Sequence, residues 1–172
     1  KRIRSCARTE FPANTSIGVD DVAFRDIANL PDAALEDLAD IFRYMLKKLA
    51  LPSSSMVNIM SMLGKPGGGA RCIVILPSQY RLLLRLAAPR IREWDQRAAG
   101  HWDTAIAGNS ALRAQLLRAL KVDVCRAQGL CTVHFLWDLR KFYDSVRVSI
   151  LQGRLESLGY PAVLTVLGFV AH

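Results

Sequence analysis

Aspartates 138 and 144 bracket a short charged run, Asp138-Leu139-Arg140-Lys141-Phe142-Tyr143-Asp144, which follows a β-branched, aromatic stretch at 132–137. The apolar stretch predicts a buried strand, and the charges mark where that strand leaves the core. A carboxylate at a strand's exit suits a metal ligand, because the strand fixes the backbone while the side chain emerges where a polyanionic substrate can approach. The competing role for Asp138 is structural, capping a helix that follows the strand. Asp144 has a plain alternative too: Lys141 and Arg147 each stand three positions away and can pair with it.

The elements around this run carry an uneven charge. Lys and Arg number 23 against 15 Asp and Glu, a formal net charge of +8. Residues 20–48 hold seven acids against four bases, whereas residues 65–154 hold fifteen bases against six acids. A cationic section surrounding a carboxylate motif points to a polyanionic partner, since clustered Lys and Arg release counterions from phosphates. A merely solubilising surface is the other reading of the same charge.

Taken in order, residues 1–14 carry four bases and little apolar periodicity and read as a tail. Asp20 and Asp21 precede Val22, Phe24, Ile27 and Leu30, which predicts a short helix capped by an acid and closed before Pro31. Pro31-Asp32 opens a longer helix, with Leu35, Leu38, Ile41, Phe42, Met45, Leu46 and Leu49 on its packing face. Two apolar runs at 56–63 and 71–76 flank Gly64-Lys65-Pro66-Gly67-Gly68-Gly69 and predict a β-hairpin with a basic tip. Its glycines free backbone N–H groups for close approach to a phosphate, with Lys65 and Arg71 supplying charge. No GK[ST] follows, so the turn is not a P-loop.

Ser78 then caps a helix from Gln79 to about Arg97 that Pro89 should kink or split. Among its arginines, Arg81 and Arg85 are candidate nucleic-acid contacts. Asn109-Ser110 starts a further helix running to about Gln128, with Leu112, Leu116, Leu117 and Leu120 expected inward. After the charged run, Ile150, Leu151, Leu155 and Leu158 repeat at helical spacing up to Gly159, and Pro161 opens a last helix. The four cysteines form no CxxC pair and read as reduced thiols of an intracellular protein. The longest uncharged apolar run, at 161–171, is well short of the ~20 residues a membrane span needs.

The pattern Asp138-Leu139-x-Lys141-x-Tyr143-Asp144-Ser145-Val146 resembles the first catalytic motif of reverse transcriptases. The likeness is closest to the non-LTR retrotransposon and group II intron kind, where an Asp-hydrophobe-x-x-x-aromatic-Asp run opens the palm active site. A second stretch is similar to that family's fingers segment. Lys65-Pro66-Gly67-Gly68, Arg71, Ile73, Leu76-Pro77 and Tyr80-Arg81-Leu82 match its Lys-Pro-Gly, Arg-x-Ile, Leu-x-Pro and Tyr-Arg-Leu series, with Cys72 where the family commonly has proline. Gly108-Asn109-Ser110-Ala111 resembles the Gly-x-Ser segment that precedes the first catalytic strand. The segments occur in the family's order and span residues 51–159.

This resemblance implies an RNA-directed DNA polymerase that adds deoxynucleotides to a primer on an RNA template by two-metal phosphoryl transfer. Its partners would be template RNA, primer DNA and a deoxynucleoside triphosphate. Asp138 and the backbone carbonyl of Leu139 would ligate Mg2+, Lys65 and Arg71 would neutralise the triphosphate, and Tyr143 would lie beneath the incoming sugar as a steric gate. The family's later aromatic-x-Asp-Asp motif does not follow Asp138 in this sequence. A non-catalytic, basic nucleic-acid-binding module in which Asp138 is a relic is therefore the alternative, and an unrelated α+β domain carrying a chance match is a third reading.

The expected fold is α+β: a fingers hairpin plus helices and the first strand of a polymerase palm, an incomplete domain. Residues 1–19 form a tail or upstream remnant, 20–52 the N-terminal helices, 53–131 the fingers-like hairpin and basic helices, and 132–172 the start of a palm.

Overall fold

The hairpin expected around the glycine run is present and is the only sheet among the described residues. In the computed structural model, residues 1–100, 103–106, 108–133, 135 and 145–171 are described. Strands β1 (Ile59–Gly64) and β2 (Ala70–Ile75) pair antiparallel, in a register that sets Ile59 opposite Ile75 and Gly64 opposite Ala70. Among the described residues, seven α-helices accompany them: α1 (Arg2–Thr9), α2 (Phe24–Asn29), α3 (Asp32–Lys48), α4 (Ser78–Ala98), α5 (Ala111–Ala127), α6 (Val148–Ser157) and α7 (Ala162–Val170). The described chain is thus mixed, mainly helical with one small antiparallel sheet. It divides into two compact units, residues 1–90 with 160–172 and residues 91–159, and the division falls just after Pro89. Helix α4 is continuous through that proline, so the expected split does not occur.

The first unit holds the core. Cys6 and Ala7 of α1, Phe24, Ile27 and Ala28 of α2, Leu35, Leu38, Phe42 and Met45 of α3, Tyr80, Leu82 and Leu83 of α4, and Leu167 of α7 form one buried cluster. Within residues 1–19, expected as a tail or the remnant of an upstream region, Arg2–Thr9 form helix α1. Its Ile3, Cys6 and Ala7 share one helical face and pack on this cluster, a stripe too short to register beside four bases. The bases are themselves structural. Arg4 donates to the carbonyls of Ala28 (3.2 Å) and Leu30 (2.6 Å) at the end of α2 and pairs with Asp32 at 2.7 Å, satisfying oxygens that a helix terminus leaves open. Helix α3 buries Leu35, Leu38, Phe42 and Met45 as expected, but Ile41, Leu46 and Leu49 of its predicted packing face lie open to solvent.

In the second unit, Ser110 caps α5 by accepting the Arg113 backbone N–H at 3.1 Å, as its sequence predicts. The leucines do not turn inward. Leu112, Leu116, Leu117 and Leu120 are all exposed, and Ala114, on another face, is the helix's buried residue. Periodicity identifies an apolar stripe without specifying that anything lies against it, and among the described residues nothing covers this one. Gly159 has the positive φ of 65° expected one position beyond a helix end, and Pro161 precedes α7. The strand expected at 132–137 falls largely outside the described residues. Of its described positions, Val133 and Phe135 are exposed and lie in neither helix nor strand.

Candidate functional site

The hairpin's tip is a five-residue loop in which Lys65 N–H donates to the Gly69 carbonyl and Gly68 N–H to the Lys65 carbonyl, both at 3.0 Å. Gly68 and Gly69 take φ of 89° and 82°, a left-handed conformation that glycine alone adopts without strain. A Cβ at either would meet nothing within 4 Å, so the loop surface is open rather than packed. Lys65 and Arg71 stand at the two ends of this turn, both exposed and, among the described residues, without an ion pair. Two uncompensated cations flanking bare backbone suit recognition of an anion that approaches closely, above all a phosphate. The strands behind the tip are open as well: Met60, Met62, Leu63, Ile73 and Val74 are exposed, so the hairpin projects from the first unit's core instead of lining it.

Leu76 and Pro77 lead from β2 into α4, and the sequence features there turn out to be anchors. Pro77, Tyr80 and Leu82 are almost completely buried. Gly18 lies against the same corner. A Cβ there would come within 2.8 Å of the Leu76 carbonyl oxygen and the Pro77 Cα, so only glycine permits this approach. Beside it, Asp20 Oδ2 accepts the Gln79 backbone N–H at 3.2 Å. The expected cap, Ser78, is wholly buried and its Oγ has no hydrogen-bond partner among the described residues, and the α4 terminus is capped by Asp20 instead. An acid, Asp20 or Asp21, is expected to cap α2, which in fact begins later, at Phe24 with Ala23 at the cap position.

Arg81 and Arg85 are partly buried and each engages protein groups. Arg81 donates to the Ser16 carbonyl at 2.6 Å with its guanidinium 5.0 Å from the Phe24 ring centre, and Arg85 pairs with Glu10 at 3.7 Å, 5.6 Å from the Phe11 ring centre. The two rings stack on each other at 3.6 Å, nearly parallel. Phe11, Phe24 and the two arginines thereby pin the segment between α1 and α2 onto α4. Burial pushes the Arg81 guanidinium below its ordinary pKa, with Asp20 opposing the shift. The structure thus gives both arginines a structural role in addition to the nucleic-acid contact expected of them. Their i, i+4 spacing on α4 and the two phenylalanines were visible in the sequence, but nothing local joined them.

Of the residues assigned to metal and sugar, Asp138, Leu139 and Tyr143 lie outside the described residues. Among the described residues, no group of three or more His, Cys, Asp or Glu gathers closely enough to hold a metal ion. Nor is any described helix long and apolar enough to cross a membrane. In comparisons with known proteins, no family model, no curated protein and no solved structure matches the chain.

Proposed function

We propose that this chain is the fingers and the opening of the palm of an RNA-directed DNA polymerase of the non-LTR retrotransposon and group II intron kind. The observation that carries the reading is the hairpin: an exposed, glycine-built tip flanked by unpaired Lys65 and Arg71, running through buried Pro77 into a helix held by Tyr80 and Leu82. In this reading the tip contacts the triphosphate of an incoming deoxynucleotide, and the excess of bases over residues 65–154 holds template and primer. Asp138 and the Leu139 carbonyl would hold Mg2+, which when bound supplies charge stabilisation to phosphoryl transfer. One carboxylate and one carbonyl are a partial donor set for two such ions, so the complete site requires further carboxylates.

That partial set also supports the second reading, a non-catalytic basic module that binds nucleic acid. Fluorescence anisotropy with a labelled RNA–DNA primer–template tests what the two share. The 172-residue chain is expected to bind weakly, without sequence preference and with strong salt dependence, and Lys65→Ala with Arg71→Ala should weaken retention of added dNTP without loss of helicity. Binding that ignores salt, or none at low ionic strength, overturns both readings. Primer extension separates them: a protein joining this segment to a downstream aromatic-x-Asp-Asp hairpin should extend a primer and lose that activity on Asp138→Ala. No extension, or activity indifferent to Asp138, leaves the module.

A further inference from the structure

An apolar groove of about 340 Å³ opens on the first unit between α2 and α3, independent of the hairpin and of the polymerase reading. Its walls include Val22, Ile27, Leu30, Leu38 and Ile41, and Asp37 stands in it. Ile41 is 42% exposed at the groove, although it belongs to the stripe expected to pack. Positions 34, 37, 38 and 41 of α3 recur at the spacing of one helical face and form one wall of the groove, and Gln79 of α4 also lines it, so a helix's apolar ridge is the kind of element that could lie against that face.

The chain itself carries a helix of matching character. Leu116, Leu117, Leu120 and Val124 of α5 form an i, i+1, i+4, i+8 ridge, each about half exposed, and Arg113 extends the same face one turn toward the N-terminus. This helix bears Arg113, Arg118, Lys121 and Arg126 against the single acid Asp123, whereas residues 20–48, which supply most of the groove, carry seven acids against four bases. Asp37 is exposed and, among the described residues, has no ion pair. Helix α6 is equally open but balances Arg154 with Glu156, so it offers apolar surface without complementary charge.

We propose that the α2–α3 groove receives helix α5 of a second copy of this chain, with the leucine ridge against the α3 face and Arg113 toward Asp37. The contact joins two copies, so it forms in proportion to concentration. Apolar burial supplies the affinity, and the acid–base match fixes which way the helix lies.

Sedimentation equilibrium of the nuclease-treated 172-residue chain across a dilution series tests this. A concentration-dependent dimer is expected. Asp37→Arg, Arg113→Asp and Leu120→Glu, all at exposed positions, should each weaken dimerisation by roughly tenfold or more while circular dichroism stays unchanged. The charge-swapped double variant, Asp37→Arg with Arg113→Asp, should recover most of the loss. A chain that stays monomeric at every concentration, a dimer indifferent to Asp37→Arg and Leu120→Glu, or a double variant no better than its parents each overturns the proposal. Association that vanishes on nuclease treatment also overturns it, because nucleic acid would then be the bridge.

Discussion

Asp20 accepts the backbone N–H of Gln79, so a carboxylate from the loop before α2 closes the N-terminus of a helix 59 positions further along the chain. The bond ties the segment between α1 and α2 to the corner where the hairpin passes into α4. A carboxylate there also faces the positive end of the helix dipole. Asp20→Ala should destabilise the fold by about 1 kcal/mol, within the range of lost N-caps, and Asp20→Asn, which keeps an acceptor, by less. Urea midpoints of the two variants measure this. If Asp20→Ala unfolds with the wild type, the helix does not depend on this cap.

What the sequence made legible were the features encoded within a few residues. The Gly67-Gly68-Gly69 turn between β-branched runs, the Ser110 cap of α5 and the Gly159–Pro161 break each state their own geometry, and each stands where it was expected. Features set by distant partners were not legible. Asp20 precedes α2 in sequence and reads, like Asp21, as a candidate for its cap, yet its acceptor oxygen is used by α4, because folding brings Gly18 to within van der Waals reach of Leu76 and Pro77. Arg4 reads as solvated charge until the end of α2 is placed beside it. The leucines of α5 show that an apolar stripe is a property of the sequence, but its burial is a property of what the fold lays over it. The candidate site divides in the same way. Lys65 and Arg71 follow from the turn, whereas the destination of Arg81 and Arg85 depends on Phe24 and Phe11, more than fifty residues away.

The arginine and phenylalanine stack makes a separate prediction about those two arginines. Arg81→Ala removes a hydrogen bond to Ser16 and a cation over Phe24, and should cost about 1–2 kcal/mol. Arg85 is more exposed and its pair with Glu10 is long, so Arg85→Ala should cost about 1 kcal/mol or less. Thermal melts rank the two. If the role of Arg81 is structural alone, nucleic-acid affinity measured well below the melting temperature should change little in Arg81→Ala, whereas a large loss of affinity in a fully folded variant would place Arg81 on the binding surface.

Under the polymerase reading, Tyr143 is a steric gate whose ring occupies the space a 2′-hydroxyl would need, and exclusion arises from overlap. In a polymerase that contains this segment, Tyr143→Ala should then raise ribonucleotide incorporation relative to deoxynucleotide. A tyrosine packed in a core would respond differently, losing about 3 kcal/mol or more of stability with discrimination unaltered. Incorporation kinetics with matched dNTP and rNTP substrates distinguish the two outcomes, and an unchanged ratio in a folded variant removes Tyr143 from the site.

Alkaline stability follows from three weakly acidic side chains of the first unit, Tyr80 and Cys6 buried and Tyr160 half-buried. Burial raises the pKa of Tyr80, with a further push from Tyr160; burial raises Tyr160; and burial, then Glu10, raises Cys6 against the opposing pull of Arg85 and Arg2. In the folded chain all three therefore hold their protons to higher pH than in the unfolded one, where a cysteine titrates near ~8.5 and a tyrosine near ~10. Above those values the unfolded state binds fewer protons than the native state, so the free energy of unfolding falls as pH rises. Stability should be insensitive to these groups at neutral pH, begin to decline above about pH 8.5 and decline more steeply above about pH 10. Cys6→Ala should remove the earlier part of the decline and Tyr80→Phe should flatten the later part, each relative to its own stability at neutral pH. Thermal melts recorded from neutral to strongly alkaline pH check both, and a slope above the tyrosine range that Tyr80→Phe leaves unaltered would show that this ring does not govern it.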